Sequence, residues 1–465
     1  MRAAAVVVIA LVCQLALALP VHAEGFVATD RDESVLGANP GSSAPEILEP
    51  EESSDYGFGT ANCSDQFADG DFGPGACAAD PGATPGTEVP NACRDLWDQM
   101  NSCYKIWVRT EYLNWSVKGD TLPALLTTSP VGTPQGVAGL LGEPATTVLF
   151  PTDSVNQGAR PGGRIQVGWW FDQGETNGLQ ADYFILQRHA QSYNISSPND
   201  PILARPFFNP VTGLQDASYI AFPNFQVLGT TANLAGSFSA VESSQAQSFS
   251  VLWRRLFWVN CNRFFWYRVH GTLGYRYFQL NENLQINDVV TPTGGPFANG
   301  TRISSIDQFV TSTTFNGLDL GIYGDVHRGR FSVETVGRLA LGNSHMVQSM
   351  AGKRTVFDTV TTVVNEGGLL TQPTNIGHHA FDGFALMPEG SVTLGMQITS
   401  NVKATVGYSF LYVNRVTRPG VAIDPVVNPT QIGGAPLAGP ARPAATFNST
   451  DVWLQGVTVG LDFRF

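Results

Sequence analysis

Apolar and polar positions alternate with a period of two along most of residues 105–465. The pattern is clearest at the C-terminus, where every second residue from Trp453 to Phe465 is apolar except Gln455, and the residues between them, apart from Leu454, are small or polar. Such alternation is typical of strands with one apolar face. It predicts ten strands, at about 105–117, 162–172, 178–188, 247–258, 264–281, 305–325, 330–345, 381–398, 402–415 and 450–465.

Two further features favour a transmembrane antiparallel β-barrel over a soluble sandwich. Aromatic residues crowd the strand ends, as in Phe264, Phe265 and Tyr267. The links between strands also alternate, from a few residues to long links of about 23 to about 58 residues. Short turns on one side and long loops on the other are typical of outer-membrane barrels. The fold class predicted is therefore all-β, a barrel of about ten strands (8–12).

The N-terminus predicts export. Arg2, the apolar stretch 3–19 and the small residue Ala23 before Glu24 have the features of a cleaved signal peptide over residues 1–23. An uncleaved anchor helix is the alternative. With a barrel at 105–465, we expect the protein in the outer membrane of a Gram-negative cell, and the segment 24–104 in the periplasm.

Charge divides the chain at the same boundary. Residues 24–104 hold 16 acidic residues against Arg31 and Arg94, while residues 105–465 hold 23 acidic and 23 basic residues. The net charge of −13 therefore belongs to the leader. No basic tract exists, so nucleic acid is excluded as an expected partner.

Cysteines cluster in this leader, which is otherwise rich in Gly, Pro, Ala, Ser and Asp and is predicted to be largely irregular. In an oxidising compartment they predict one or two disulfides. The pairing stays open, and Cys261 is either free or tied back to the leader. The candidates are Cys63, Cys77, Cys93 and Cys103.

The polar face of the strands predicts the composition of the lumen. It carries seven cations, Arg109, Arg164, Arg268, Arg276, Arg338, Lys403 and Arg464, and seven anions, Glu111, Asp182, Asp319, Asp325, Glu334, Glu389 and Asp462. A selective pore tends to show an excess of one sign, and unpaired charge in a narrow barrel is costly. Balanced charge therefore favours a paired, largely occluded lumen. No cofactor or metal site is predicted.

Several short motifs resemble the beta-barrel porin family that is abundant in planctomycete bacteria. They include Trp107-Val-Arg-Thr-Glu-Tyr-Leu-Asn-Trp115, Thr127-Thr-Ser-Pro130, Gly274-Tyr-Arg-Tyr277, Leu339-Ala-Leu-Gly-Asn-Ser-His345, Val416-Thr-Arg-Pro-Gly420 and Gly460-Leu-Asp-Phe-Arg-Phe465. The resemblance implies an outer-membrane barrel of undetermined function, with membrane lipids and the barrel-assembly machinery as partners. Phe463 and Phe465 match the aromatic C-terminus that this machinery recognises in such barrels.

Three functions follow as hypotheses. The first is a porin-like barrel with a narrow or largely occluded pore for small solutes. The second is a structural or adhesion protein that works through its long outer loops or its acidic leader. The third, a surface hydrolase, depends on His378, His379 and Asp382, which lie close together in the sequence. No nucleophile-elbow, P-loop or zinc-protease motif accompanies them, so we expect no enzyme.

Overall fold

The computed structural model describes residues 91–100, 104–197, 201–358 and 360–465. The predicted signal peptide and most of the leader lie outside the described residues. In chain order the elements are α1 (Asn91–Met100), β1 (Ile106–Val117), β2 (Leu126–Thr128), β3 (Thr147–Phe150), β4 (Gly158–Trp170), β5 (Asn177–Leu186), β6 (His189–Ser196), β7 (Leu203–Asn209), β8 (Leu214–Val227), β9 (Thr230–Cys261), β10 (Trp266–Gly294), β11 (Arg302–Arg328), β12 (Phe331–Asp358), β13 (Thr361–Glu366), β14 (Gly377–Gln397), β15 (Val402–Val416), α2 (Pro419–Ala422), a 3₁₀ turn (Pro429–Gln431) and β16 (Thr450–Arg464).

Ten of these strands form a closed antiparallel ring, in the order β1, β4, β5, β9, β10, β11, β12, β14, β15, β16. The ring closes where β16 pairs with β1, with Val108 opposite Phe463. The paired residues can be followed from strand to strand around the ring, starting at Trp170 of β4. The path returns to β4 at Gly158, which lies 12 residues from Trp170 on the same strand. This stagger tilts the strands, as barrel closure requires. The predicted ten-stranded barrel is confirmed.

The period-two pattern separates the two faces of the wall. On β12, Phe331, Val333 and Leu339 are exposed on the outside, whereas Ser332 and Glu334 point inward and are buried. Apolar side chains exposed on one continuous face are unfavourable in water and favourable in hydrocarbon. The outer face of the ring is therefore the membrane-facing surface.

This apolar belt has a defined height. On β12 the outward positions are mainly apolar from Phe331 to Leu341, after which Asn343 and His345 are polar and exposed. Eleven residues at a tilt of about 40° rise by about 25 Å, which matches the hydrocarbon thickness that such barrels span. The strands continue beyond the belt at one end only.

The two ends of the barrel differ as predicted. Four links of two to six residues, at 171–176, 262–265, 329–330 and 398–401, lie at one end, called the short-turn end. In the two-residue link, Gly329 adopts a φ of 57°, a left-handed conformation that favours glycine. The other end, called the loop end, carries most of the remaining elements.

The predicted strand limits at the loop end were wrong. β9 to β12 run for 27 to 32 residues each, so the link between β10 and β11 shrinks from the predicted 23 or so residues to 295–301. The added halves have buried inward faces, because β2, β3, β7 and β8 pack there around a core that includes Phe150, Phe207, Phe238, Leu284 and Phe309. We call this assembly the loop domain.

Helix α1 contacts the short-turn end. A disulfide joins Cys93 to Cys261 at the end of β9, and Leu96 is buried against Trp266. The sequence left Cys261 either free or bonded to the leader, and the structure shows a disulfide to the leader. Cys63, Cys77 and Cys103 lie outside the described residues. The helix interrupts a segment predicted to be largely irregular. Among the described residues, no helix is long and apolar enough to cross a membrane.

Candidate functional site: the barrel lumen

Charged side chains fill the half of the lumen nearest the short-turn end, which we call the charged layer. Arg109 lies between Glu334 and Asp462, with its Nη2 atom 2.6 Å and 2.9 Å from their carboxylate oxygens. Lys403 contacts the same two carboxylates, and its Nζ atom is 3.5 Å from Asp462 Oδ2. All four side chains are at most 8% exposed. They form a closed two-cation, two-anion cluster.

A second cluster lies next to the short turns. Arg268 pairs with Glu175 and with Asp325, whose Oδ2 atom is 3.2 Å from Arg268 Nη2. Gln99 of α1, with its carboxamide oxygen turned toward the lumen, accepts hydrogen bonds from Arg268 Nη2 at 3.1 Å and from Arg464 Nη1 at 2.8 Å. Helix α1 therefore adds its own polar contact to the charged layer.

A third cluster lies further from the short turns. Arg338 pairs with Asp319, and its Nη1 atom is 3.3 Å from Asp182 Oδ2. Arg276 pairs with Glu389 and is 3.5 Å from Asp319. Arg164 pairs with Glu111. Each buried charge here has a partner of opposite sign, which is the condition for tolerating ions away from water.

The structure places all fourteen predicted lumen charges on the inward face and brings them into the three clusters. Sequence reasoning left out other charged residues of this layer, among them Glu175, which joins the second cluster, and Arg254, which belongs to none of the three. Glu175 lies in a short turn, where strand parity makes no prediction, and it has a φ of 52°. Arg254 lies at an inward position of the alternating pattern in β9, but it was not included among the predicted lumen charges. Its parity could have identified it.

A small cavity remains inside the charged layer. It has a volume of about 70 Å³ and is lined by side chains from most of the ring strands, including Arg109, Trp170, Arg254 and Tyr323. We call it the chamber. A buried water occupies about 30 Å³ of liquid volume, so the chamber holds a few waters or one small ion.

An apolar layer lies directly above the charged layer, toward the loop end. Inward side chains from nine ring strands meet there, and nearly all are at most 1% exposed. Trp115, Phe184, Phe278 and Phe315 provide the largest side chains, and Trp115 and Phe184 pack with ring centroids 5.2 Å apart. Buried apolar side chains therefore occupy this part of the lumen.

Beyond the apolar layer, buried ion pairs hold the loop domain in place. Arg418, from the link before β16, donates to both carboxylate oxygens of Glu282 at 2.9 Å and 2.8 Å and to the backbone carbonyl of Gly119 at 2.7 Å. Arg205 of β7 pairs with Asp288 and Asp307, each at 2.7 Å. Loops and strands are thus joined inside the barrel wall.

One buried carboxylate in this region has no hydrogen-bond partner. Glu242 lies on the loop-end half of β9, above the apolar belt, where β6 pairs with that strand. It is 1% exposed, and neither of its carboxylate oxygens has a partner. Burial, with the nearby carboxylates of Asp120 and Glu282, raises the pKa of Glu242 to about 9. The side chain is therefore protonated at neutral pH.

The structure does not assemble the candidate hydrolase site. Asp382 accepts from Asn343 and contacts His345 on the exposed outer face of the wall. His378 contacts Ser349 on that same face, whereas His379 points the other way and contacts the carbonyl of Asn375. Neighbouring residues of a strand face opposite sides, so His379 cannot join the other two. Within the described part of the chain, no cluster of ligating side chains could hold a metal ion.

The terminal aromatics lie on the outer face. Phe465 is 51% exposed, and its backbone exchanges hydrogen bonds with Ile106 at 2.8 Å and 3.2 Å where the ring closes. Phe463 lies two residues earlier on the same face, opposite Val108. This position agrees with a lipid-facing role and does not test the predicted assembly signal.

The solved structures that match this chain are distant from it. Similar solved structures include the outer membrane protease OmpT from Escherichia coli (10% identity, TM-score 0.35, 78% of this chain and 97% of that chain covered). A toluene transporter, TodX, from Pseudomonas putida (6%, 0.17, 80% and 92%) and a FadL homologue from Pseudomonas aeruginosa (6%, 0.20, 79% and 91%) also match. No curated protein matches the chain.

A family model supplies the assignment that these distant structures cannot. The model described as Putative beta barrel porin-7 matches residues 107–465, which begin in β1 and end with β16, and so it covers the whole ring. The chain belongs to the family described as Putative beta barrel porin-7.

Proposed function

We propose that this protein is an outer-membrane barrel that is closed to solutes in its resting state. In this proposal the short-turn end faces the periplasm, which the exported leader and helix α1 share, and the loop end faces outward. The family membership supports the outer-membrane location, whereas the signal peptide and the planctomycete origin stay predictions from the sequence.

The apolar layer is the observation that carries the proposal. An aqueous pore needs a continuous polar path, and the inward faces of nine strands meet instead in a buried apolar cluster. The charged layer supports the same conclusion, because its cations and anions, apart from Arg254, pair with each other and present no excess of one sign to a solute. A 70 Å³ chamber is also too small for a nutrient-sized molecule.

The loop domain is then the best candidate for the working part of the molecule. It has its own apolar core and is fixed to the wall by Arg205 and Arg418. A rigid domain held at the membrane surface fits a structural or adhesive role. This second function stands beside the porin-like one until solute passage has been measured.

Liposome swelling tests the proposal. Vesicles containing the refolded protein, diluted into an isotonic solution of a small neutral sugar such as arabinose, should swell no faster than empty vesicles. Heat-modifiable gel migration verifies that the barrel is folded in the same vesicles. Swelling at a rate that rises with the amount of protein would overturn closure and favour the porin-like function.

A further inference from the structure

One arginine in the chamber has no carboxylate beside it. Arg254 lies on the inward face of β9 and is 4% exposed. Its Nη1 atom donates to Gln180 Oε1 at 3.1 Å, and its Nε atom is buried without an acceptor. Gln180 donates in turn to Asp182 at 2.8 Å. Among the described residues, Arg254 is thus connected to a carboxylate only through an amide.

Two aromatic rings lie beside the guanidinium of Arg254. The ring of Tyr323 lies 4.0 Å from the guanidinium carbon, and that of Trp170 lies 4.9 Å away. Aromatic faces stabilise a cation but accept few of its hydrogen bonds. A guanidinium carries five N–H donors in one plane, and Gln180 accepts from only one of its nitrogen atoms.

Another donor in the chamber lining also lacks an acceptor. The hydroxyl of Thr272, which pairs with Arg254 across the β9–β10 ladder and lines the chamber, has no partner. A buried donor without an acceptor costs about 1–3 kcal/mol. Arg254 Nε and Thr272 Oγ1 are two such groups around one small cavity, and together they point to a missing acceptor.

We propose that the chamber binds one small monovalent anion of halide size at the edge of Arg254. An anion would accept the free N–H groups and offset the buried charge of the guanidinium. The 70 Å³ volume admits a halide. The site belongs to the chamber of the closed barrel proposed above, although anion binding does not depend on whether the barrel conducts.

Anomalous diffraction from crystals of the full-length protein soaked in sodium bromide tests the site. We expect one bromide peak in the chamber, within hydrogen-bonding reach of the Arg254 guanidinium, and loss of this peak in Arg254→Gln. Arg255→Gln is the matched control, because Arg255 is exposed on the outer face and its removal deletes the same charge from the neighbouring position. A chamber without bromide in the wild type, or a peak that persists in Arg254→Gln, would overturn the proposal.

A solution measurement separates specific binding from binding at crystal concentration only. In detergent, the midpoint of heat-modifiable unfolding should be higher in sodium chloride than in sodium gluconate of equal concentration, because a ligand that binds only the folded state stabilises it. Arg255→Gln should keep this difference and Arg254→Gln should lose it. Equal wild-type midpoints in the two salts would overturn the site, even if Arg254→Gln failed to insert. Liposome swelling reports on closure independently, so the two proposals can fail separately.

Discussion

At the scale of single residues, strand parity carries most of the predictive information. Fourteen inward charges were assigned from alternation alone, and the structure pairs them within the wall. Residues outside regular strands escaped this reasoning. Glu175 lies in a turn, Arg418 lies in a long link, and their partners are 93 and 136 residues away in the chain. Contacts at such separations depend on the closed ring and leave no local pattern.

Glu242 provides a prediction about stability and pH. With a folded pKa of about 9 against an ordinary value of 4.5, the folded protein keeps a proton that the unfolded chain releases above pH 4.5. Stability therefore falls as pH rises from 4.5 to 9, by about 3 kcal/mol at pH 7. Glu242→Gln removes this cost, so its unfolding midpoint should exceed that of the wild type by several degrees at pH 7.

The difference between Glu242→Gln and the wild type should disappear at pH 4, where both side chains are neutral. Heat-modifiable gel migration in detergent across this pH range measures it. Glu366→Gln, at an exposed position on β13, is the matched control and should not shift the midpoint at any pH. A Glu242→Gln variant that is no more stable than the wild type at pH 7 would show that Glu242 is ionised and partnered.

At the scale of elements, the sequence predicted the membrane part of each ring strand and missed what lies beyond it. Within the belt, one face meets lipid and the other meets polar groups, so alternation is strong. Above the belt, the inward face of β10 packs against the loop domain through Leu284, Ile286 and Val290, while its outward face carries Asn283, Gln285 and Asn287. That face is polar because it meets water. The loss of the lipid-facing signal explains why these halves were assigned to loops.

Helix α1 gives a prediction about the disulfide. Peptide mapping under non-reducing conditions should recover a peptide pair linked through Cys93 and Cys261. In Cys93→Ser, the barrel should still insert and stay heat-modifiable, because α1 lies outside the ring. Limited proteolysis should then cut within residues 91–100 faster than in the wild type. Equal cutting rates would show that packing of Leu96 on Trp266 holds the helix without the covalent tie.

The end of β16 gives a prediction about assembly. Deleting Phe465 removes both a lipid-facing ring and two backbone hydrogen bonds to Ile106, whereas Phe465→Ala removes only the ring. If the ring is an assembly signal, Phe465→Ala should sharply lower insertion in cells and leave refolding in detergent nearly normal. Wild-type levels of inserted Phe465→Ala would contradict the signal. Equal failure in cells and in detergent would assign Phe465 to stability alone.

At the scale of the whole molecule, the closure of the ring and the packing of side chains inside its lumen are separate properties. Ring closure with a stagger of 12 residues sets the width of the lumen, and both layers then follow from which inward side chains fill it. The balance of cations and anions predicted that the charged side chains of the lumen pair with one another, and the structure shows such pairs. The apolar layer was not predicted, because residues such as Trp115, Phe278 and Leu411 were taken as strand residues without regard to the cluster they form together.

Single-channel conductance in planar bilayers tests closure most directly. The wild-type barrel should give no stable current steps. A variant that empties the apolar layer, with Trp115, Phe278 and Phe315 all replaced by alanine, should give steps, because water and ions could then enter from both sides. Tyr112→Ala, which removes a lipid-facing side chain from the same strand as Trp115, should stay silent. Regular steps from the wild type, of the same size as those of the triple variant, would contradict the closed barrel.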